Sequence, residues 1–426
     1  MRTWDLGYEQ TQALMEVPDA GSPVYVYDAA AIRGRCVQYD WAMRVGDQVC
    51  KNYFAVKALP NPEILEIARE QGMGFDCSSP PEITLVQRAG AEGEQMIFTS
   101  NNTADGEFDA AVGAHAMINF DDLSLVERFV GQNRPTLPIA FCRSNPGDIE
   151  FEGVNEDIIG KPSEAKFGMP DPQIVEAYRL LKGSGVERFG LHTMLLSNEL
   201  DHKNHLAIAR HMFELAGKIK KFVGIDMEMI NLGGGFGVAY RPEQEDFDIE
   251  SYGAELSELY ADMGMDKLGS PQVITENGRW VTADAGFLLA QVINRKDTHK
   301  TFVGVDATMA DFMRPGMYGA YHHITVLSDR PDFDPEDTET VNVAGSLCEN
   351  NDQFAIDREL PKTQEGDIMV IHTTGAHGRA MGFNYNGKLR AGEVLINDAG
   401  DEAPRLIRRK ETVDDLFATL VPSDDE

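Results

Sequence analysis

Three short stretches bring together groups that could do carbonyl chemistry. Lys57 closes the apolar run NYFAVKA at 52–58. An amine held where water is scarce is favoured in its neutral, nucleophilic form, the form that condenses with a carbonyl. Taken alone, such a lysine is as readily one that drapes its methylenes over an apolar edge. The run NLGGGFGVAY at 231–240 offers consecutive amides with no Cβ in the way, a concave set able to cradle a phosphate, and it reads equally as a tight turn. It lacks the GxGxxG spacing of a dinucleotide site. In ENGRW at 276–280, Glu276 could partner a protonated ring nitrogen of an electron-sink cofactor, and Arg279 adds a guanidinium. A salt bridge between the two accounts for the same residues.

These residues need elements to hold them. Eight short β-like runs cover 52–58, 72–77, 95–101, 116–122, 138–145, 189–198, 227–235 and 272–279, and most precede stretches with helical apolar spacing, such as EILEIARE and KNHLAIARHMFELAGKIKK. Eight strands alternating with helices predict an α/β fold, a (β/α)8 TIM-like barrel. Lys57, Asp76, Asn101, Arg143, Ser197, the glycines after Leu232, and Arg279 all fall at or just after strand ends, which in such barrels is the catalytic face. After residue 281 the pattern becomes β-rich without long helices, predicting a C-terminal all-β domain. PVYVYD at 23–28 is a strand that either domain can take. Grouped with the β-rich part, it gives a barrel over 29–281 and a β-rich domain over 1–28 and 282–426.

Composition narrows the function class. The chain has 426 residues, enough for a large domain and a smaller one, and 42% are hydrophobic. A formal net charge of −32 argues against a nucleic-acid partner, which needs clustered Lys and Arg. Five cysteines without a CxxC pair point to reduced thiols in the cytoplasm and to no metal site. The N-terminus MRTWDLGYEQTQALMEV lacks a signal-type apolar run, and no membrane partner is expected. VPSDDE at 421–426 reads as a frayed acidic end.

Taken together, and with FDCSSPPE at 75–82, AKFGMP at 165–170, DATMADFMRPGMYGAYHH at 306–323, GSLCENND at 345–352 and GAHGRAMGFNYNG at 375–387, the sequence resembles the fold-type III pyridoxal-phosphate decarboxylases. These alanine-racemase-like barrel enzymes include diaminopimelate and ornithine decarboxylases, and the resemblance runs from about residue 23 to 398. It implies pyridoxal 5'-phosphate as cofactor, carried by Lys57. Its phosphate would be held by Ser197, Gly234 and Gly235, and its pyridine nitrogen faced by Glu276. Asp76, His192, His377 and Tyr385 would complete the cofactor site.

For the substrate, the resemblance implies a basic amino acid, with meso-2,6-diaminopimelate giving L-lysine as the preferred case. Its distal amine and carboxylate need an acidic group and a cationic clamp, which Glu349, Arg279, Arg314 and Tyr318 supply, with Tyr385 alongside. Cys348 would protonate the substrate carbon, reaching the site from a neighbouring subunit of a homodimer. A free cysteine is more ordinarily a small buried apolar residue. Ornithine, D-lysine, D-ornithine and carboxynorspermidine are the alternative substrates, and a non-catalytic regulatory homologue is the alternative class.

The sequence departs from the family pattern at several positions. The His-x-His before Gly-Ser reads GLHTMLLSN, which leaves Met194 where a histidine stacks on the cofactor ring and keeps only His192. Glu-Pro-Gly-Arg has become Glu276-Asn277-Gly278-Arg279, the Gly-Gly before Glu82 is Pro80-Pro81, and a tyrosine after Gly375-Ala376 is His377, which can still donate to phosphate. The GAHG, CENND and MYGAYHH segments resemble one branch of the diaminopimelate decarboxylases.

Overall fold

The structure is a computed structural model describing residues 1–132, 134–147, 149, 161–398 and 403–421. The acidic end at 422–426 lies outside the described residues. The chain divides into two compact units, one of Arg33–Val238 and Glu245–Val281, the other of Met1–Ile32, Ala239–Gln244 and Thr282–Glu426.

All eight expected strands form in the first unit: β1 (Lys51–Ala55), β2 (Gly74–Cys77), β3 (Met96–Ser100), β4 (Met117–Phe120), β5 (Ala140–Arg143), β6 (Phe189–His192), β7 (Met229–Asn231) and β8 (Gln272–Thr275). They pair in parallel, in chain order, and β8 returns to β1 to close a barrel. The first seven are each followed by a longer helix, from Pro62–Glu70 to Ile249–Asp262, and β8 by the single turn Arg279–Thr282. Helix starts carry their own signals. Asn61, Asp122, Asp201 and Asp248 each accept a backbone N–H in the first turn, a cap worth about 1 kcal/mol.

Inside the barrel, Tyr53, Ile97, Met117, Ile139, Phe141 and Ile274 form a buried cluster. Size alternates across paired strands. Phe141 lies over its partner Gly190, where a Cβ would come within 2.1 Å of the ring, and Tyr53 covers Gly74 in the same way, at 2.4 Å. The interior is therefore filled by side chains rather than open, and chemistry is left to the rim.

The second unit holds a mixed sheet of nine strands among the described residues. The PVYVYD segment supplies Val24–Asp28, antiparallel to Gly286–Asp297 and parallel to Gly392–Ile396, so it belongs with this sheet. Leu14, Met15, Val24, Val26, Phe287, Leu289, Val370 and Val394 form its core. This unit is not purely β, because Tyr8–Met15, Arg314–Tyr318 and Val413–Phe417 are helical. No helix among the described residues is long and apolar enough to cross a membrane.

Candidate active site

The C-terminal rim of the barrel opens into a cleft of about 630 Å³. Strand ends contribute Lys57, Asp76, Ser78, Thr99, Ser100, Asn101, Arg143, His192, Met194, Ser197 and Glu276, and the loop before helix Asp171–Gly183 contributes Lys161, Glu164 and Phe167. Lys57 sits just after the strand end, on the 3-10 turn Val56–Ala58, and it is exposed to the cleft rather than buried. A tight contact sets its place. A Cβ at Gly278 would lie 2.7 Å from Ala58 Cβ and 3.0 Å from Ala55 Cβ, so the lysine turn packs directly on the 276–278 loop. Carboxylates, rather than apolar burial, dominate its surroundings, since its charge acts on Asp76, Glu82 and Glu276.

Two buried carboxylates face that amine with opposite tendencies. Burial drives Asp76 well above the usual carboxylate range, the Glu276 charge adds to the effect, and Lys57 only partly opposes it. Its Oδ1 has no hydrogen-bond partner among the described residues. For Glu276, burial pulls upward but is outweighed by His192, Lys57 and Asn231, and its carboxyl lies below the ordinary value. His192 Nε2 is 3.0 Å from Glu276 Oε2, and Asn231 Nδ2 donates to Oε1 at 2.6 Å. Burial and neighbours thus push the two acids in opposite directions, Glu276 toward its ionised form and Asp76 toward its protonated one. Both Glu276 oxygens are engaged, one by His192 and one by Asn231.

Arg143 is anchored by Asp121 at 3.1 Å, donates to the Met194 carbonyl at 3.2 Å and lies 4.5 Å over the Phe167 ring.

The glycine run is organised differently from an open nest. The Gly233 N–H donates to Asn231 Oδ1, that of Gly234 to Met194 Sδ at 3.1 Å, that of Phe236 to Asn277 Oδ1 and that of Gly237 to the Glu199 carbonyl. Backbone crowding explains the glycines. A Cβ on Gly234 would meet the Glu276 carbonyl at 2.5 Å, and one on Gly235, whose φ is +101°, would meet that of Leu196 at 2.3 Å. Neither glycine lines the cleft, whereas Met194, which caps the Gly234 amide, does.

The family model for the pyridoxal-binding domain of pyridoxal-dependent decarboxylases matches residues 30–283. The chain belongs to the pyridoxal-dependent decarboxylases. Protein TabA of Pseudomonas amygdali pv. tabaci is 39% identical, with 92% of this chain and 90% of that protein covered. The diaminopimelate decarboxylase of Methanothermobacter thermautotrophicus is 34% identical over 93% of this chain and 91% of its own. Among solved structures, the Helicobacter pylori diaminopimelate decarboxylase complexed with L-lysine superposes with a TM-score of 0.84 at 26% identity, covering 96% of this chain and 98% of that one.

The cleft of this pyridoxal-dependent decarboxylase has the donor set its cofactor needs. It presents an exposed amine on Lys57, a Glu276 carboxyl held below its ordinary value, and two buried polar atoms, Asp76 Oδ1 and His192 Nδ1, without partners among the described residues. Asp76, His192 and Ser197 gather there as expected. Lys161 and Glu164 were not singled out in the sequence, although AKFGMP beside them was a visible signal.

The remaining candidates lie elsewhere. Arg279 is half-buried on the turn Arg279–Thr282 and is not among the cleft residues. Arg314, Tyr318, Cys348, Glu349, His377 and Tyr385 belong to the sheet unit. Within it, a Cβ at Gly316 would lie 2.3 Å from the Asn351 carbonyl, so helix Arg314–Tyr318 packs on the loop that carries Cys348 and Glu349. The Cys348 N–H donates to Asn386 Oδ1 at 2.7 Å, next to Tyr385, and the Arg314 guanidinium stands 5.7 Å from the Tyr240 ring centre. Tyr318 and Tyr385 are 54% and 50% exposed, and Cys348 is exposed as well. His377 is half-buried with φ +53°, a left-handed conformation uncommon for a non-glycine residue.

Proposed function

We propose that this pyridoxal-dependent enzyme decarboxylates meso-2,6-diaminopimelate to L-lysine and carbon dioxide, the last step of lysine biosynthesis. The observation that carries the reading is the Lys57 amine sharing the barrel-rim cleft with two buried carboxylates, Asp76 and Glu276, the latter held by His192 and Asn231. Relatives named diaminopimelate decarboxylase, 29–34% identical over more than 90% of the chain, support the substrate.

When bound, pyridoxal phosphate supplies the electron sink that takes up the pair left by departing carbon dioxide. Lys57 would hold the cofactor through its amine. Glu276, its carboxylate fixed by His192 and Asn231, would keep a proton at the pyridine nitrogen. Asp76 and His192 orient the ring. Ser197 and His377 would take the phosphate together with Gly234 and Gly235, the Gly234 N–H exchanging Met194 Sδ for it, with Tyr385 beside the cofactor. At the distal end of the substrate, Arg279 and Arg314 clamp the second carboxylate, Glu349 meets the second ammonium, and Tyr318 and Tyr385 close the sides. Cys348 delivers a proton to the carbon that lost carbon dioxide.

The same reading makes the enzyme a cytoplasmic homodimer with shared active sites. Exposed Cys348, Met317, Tyr318 and Tyr385 form a partly apolar surface of the kind a partner subunit covers. The deciding experiment measures carbon dioxide release from meso-diaminopimelate beside D-lysine, D-ornithine, ornithine and carboxynorspermidine. L-Lysine as the favoured product supports the reading, and a preference for any competitor overturns it.

A further inference from the structure

The carboxylate of Glu276 is fixed by His192 and Asn231, but its backbone is fixed from a different direction. Asn52, buried in β1, extends its carboxamide to the segment that follows β8. Its Oδ1 accepts the Asn277 N–H at 2.7 Å and the Thr275 hydroxyl at 2.8 Å, and its Nδ2 donates to the Asn277 carbonyl at 2.9 Å. Thr275 and Asn52 are the last residues paired between β8 and β1. Beyond them, the side chain supplies the N–H and C=O that a neighbouring strand would otherwise offer. Asn277 passes the constraint on, because its Oδ1 accepts the Phe236 N–H at 3.1 Å. One hydrogen-bonded chain therefore links the strand ending at the Lys57 turn, the Glu276 loop and the glycine run.

The pairing is specific in its chemistry. A proline at 277 would have no N–H to give Asn52. An apolar residue at 52 would strand the buried N–H and C=O of Asn277, each costing about 1–3 kcal/mol.

We infer that Asn52 and Asn277 are positioning residues, a clamp across the barrel seam that fixes the Glu276 carboxylate relative to the Lys57 amine and ties down the glycine run. The clamp acts on the chemistry through Glu276, and it rests on the decarboxylase reading above.

The test compares Asn52→Leu, Asn277→Ala, Glu276→Gln and the double variant Asn52→Leu/Glu276→Gln with the wild type. Its readouts are pyridoxal phosphate affinity by absorbance titration of the cofactor-free protein, kcat and KM per bound cofactor, and thermal unfolding. Asn52→Leu should lower kcat per bound cofactor and cofactor affinity by about tenfold each, leaving KM within about twofold. The double variant should be no slower than Glu276→Gln alone. A merely structural role would lower the unfolding temperature but leave kcat per bound cofactor intact, and a further full loss in the Glu276→Gln background would equally overturn the inference. If Asn52→Leu does not fold, Asn277→Ala decides, since it keeps the backbone bonds and removes only the tie to Phe236. Unchanged cofactor affinity there overturns the clamp. A wild-type chain that takes up no pyridoxal phosphate sinks the decarboxylase reading and the clamp together, whereas normal uptake with unaltered variants sinks only the clamp.

Discussion

In the barrel unit, Glu276, His192 and Asp76 are buried at strand ends and set among named partners, while in the sheet unit Cys348, Tyr318 and Tyr385 stand exposed on a one-turn helix and loops. The difference separates two tasks. Rigid strand ends hold acids at fixed mutual distances, so burial and neighbours can move their protonation in opposite directions. Exposed loop residues have no such field around them and become chemically distinctive only when another surface covers them. The barrel cleft should therefore carry most of the cofactor binding, with His377 and Tyr385 added from the sheet unit, and the sheet unit proton delivery and, together with Arg279, specificity.

The sharpest break of that division is Lys57→Ala. Turnover should fall by roughly four powers of ten or more, and borohydride should no longer trap the cofactor on the chain. Peptide mapping of trapped wild-type protein that finds the label on another lysine would move the chemistry away from this cleft.

Next comes Arg314→Ala in the sheet unit. The substrate's second carboxylate would lose one of its cations, a broken buried pair that costs roughly 3–5 kcal/mol, so diaminopimelate should lose about two to four powers of ten in kcat/KM while its advantage over D-lysine narrows. Cofactor affinity should not change. A loss of pyridoxal phosphate from this variant would mean that the two units do not divide the work.

Cys348→Ala should slow turnover by about a hundredfold, as expected for a proton donor. Mixed with Lys57→Ala subunits, it should recover part of the activity through hybrid dimers. Verified subunit exchange without recovery would place both residues in one chain's site.

The smallest effect concerns stability and is shared by both units. Burial holds the imidazole of His205, in the barrel unit, at about 3 and that of His372, in the sheet unit, at about 4. Both lie below the ordinary histidine value, so the unfolded chain takes up these protons first as pH falls. Their stabilisation is complete above about pH 6.5 and drains toward the folded values, by about 1.4 kcal/mol per pH unit for each group. Denaturant midpoints at pH 7 and 5 should converge when His205→Gln or His372→Gln is introduced, each removing its own share. An undiminished pH dependence in both variants would contradict the assignment.

The legible part of this molecule is what repeats or sits beside its neighbours in sequence. The eight strands announce themselves by short apolar runs, and Lys57, Asp76, Ser197 and Glu276 reach one cleft because parallel strands put all their C-terminal ends on one rim. Sequence could not indicate that the glycine amides are already engaged, since Gly234 meets Met194 and Phe236 meets Asn277 only after the barrel closes. Asn52 was silent for the same reason, its partner lying more than two hundred residues away. The Lys57 environment was misread because an apolar run suggests burial of everything in it, whereas the strand ends at Ala55 and the turn that follows buries Val56 and Ala58 but leaves Lys57 exposed.

Cys348 has a practical consequence. It is the one exposed thiol of five, and the other four are buried, with burial pushing Cys36 and Cys50 up to about 12. A maleimide at neutral pH should therefore consume one equivalent per folded chain, and its rate should slow as protein concentration rises if self-association shields that sulfur. The chain carries its own untagged reporter, from which a dilution series of labelling rates would yield an association constant, and a count rising from one toward five would time the opening of the core.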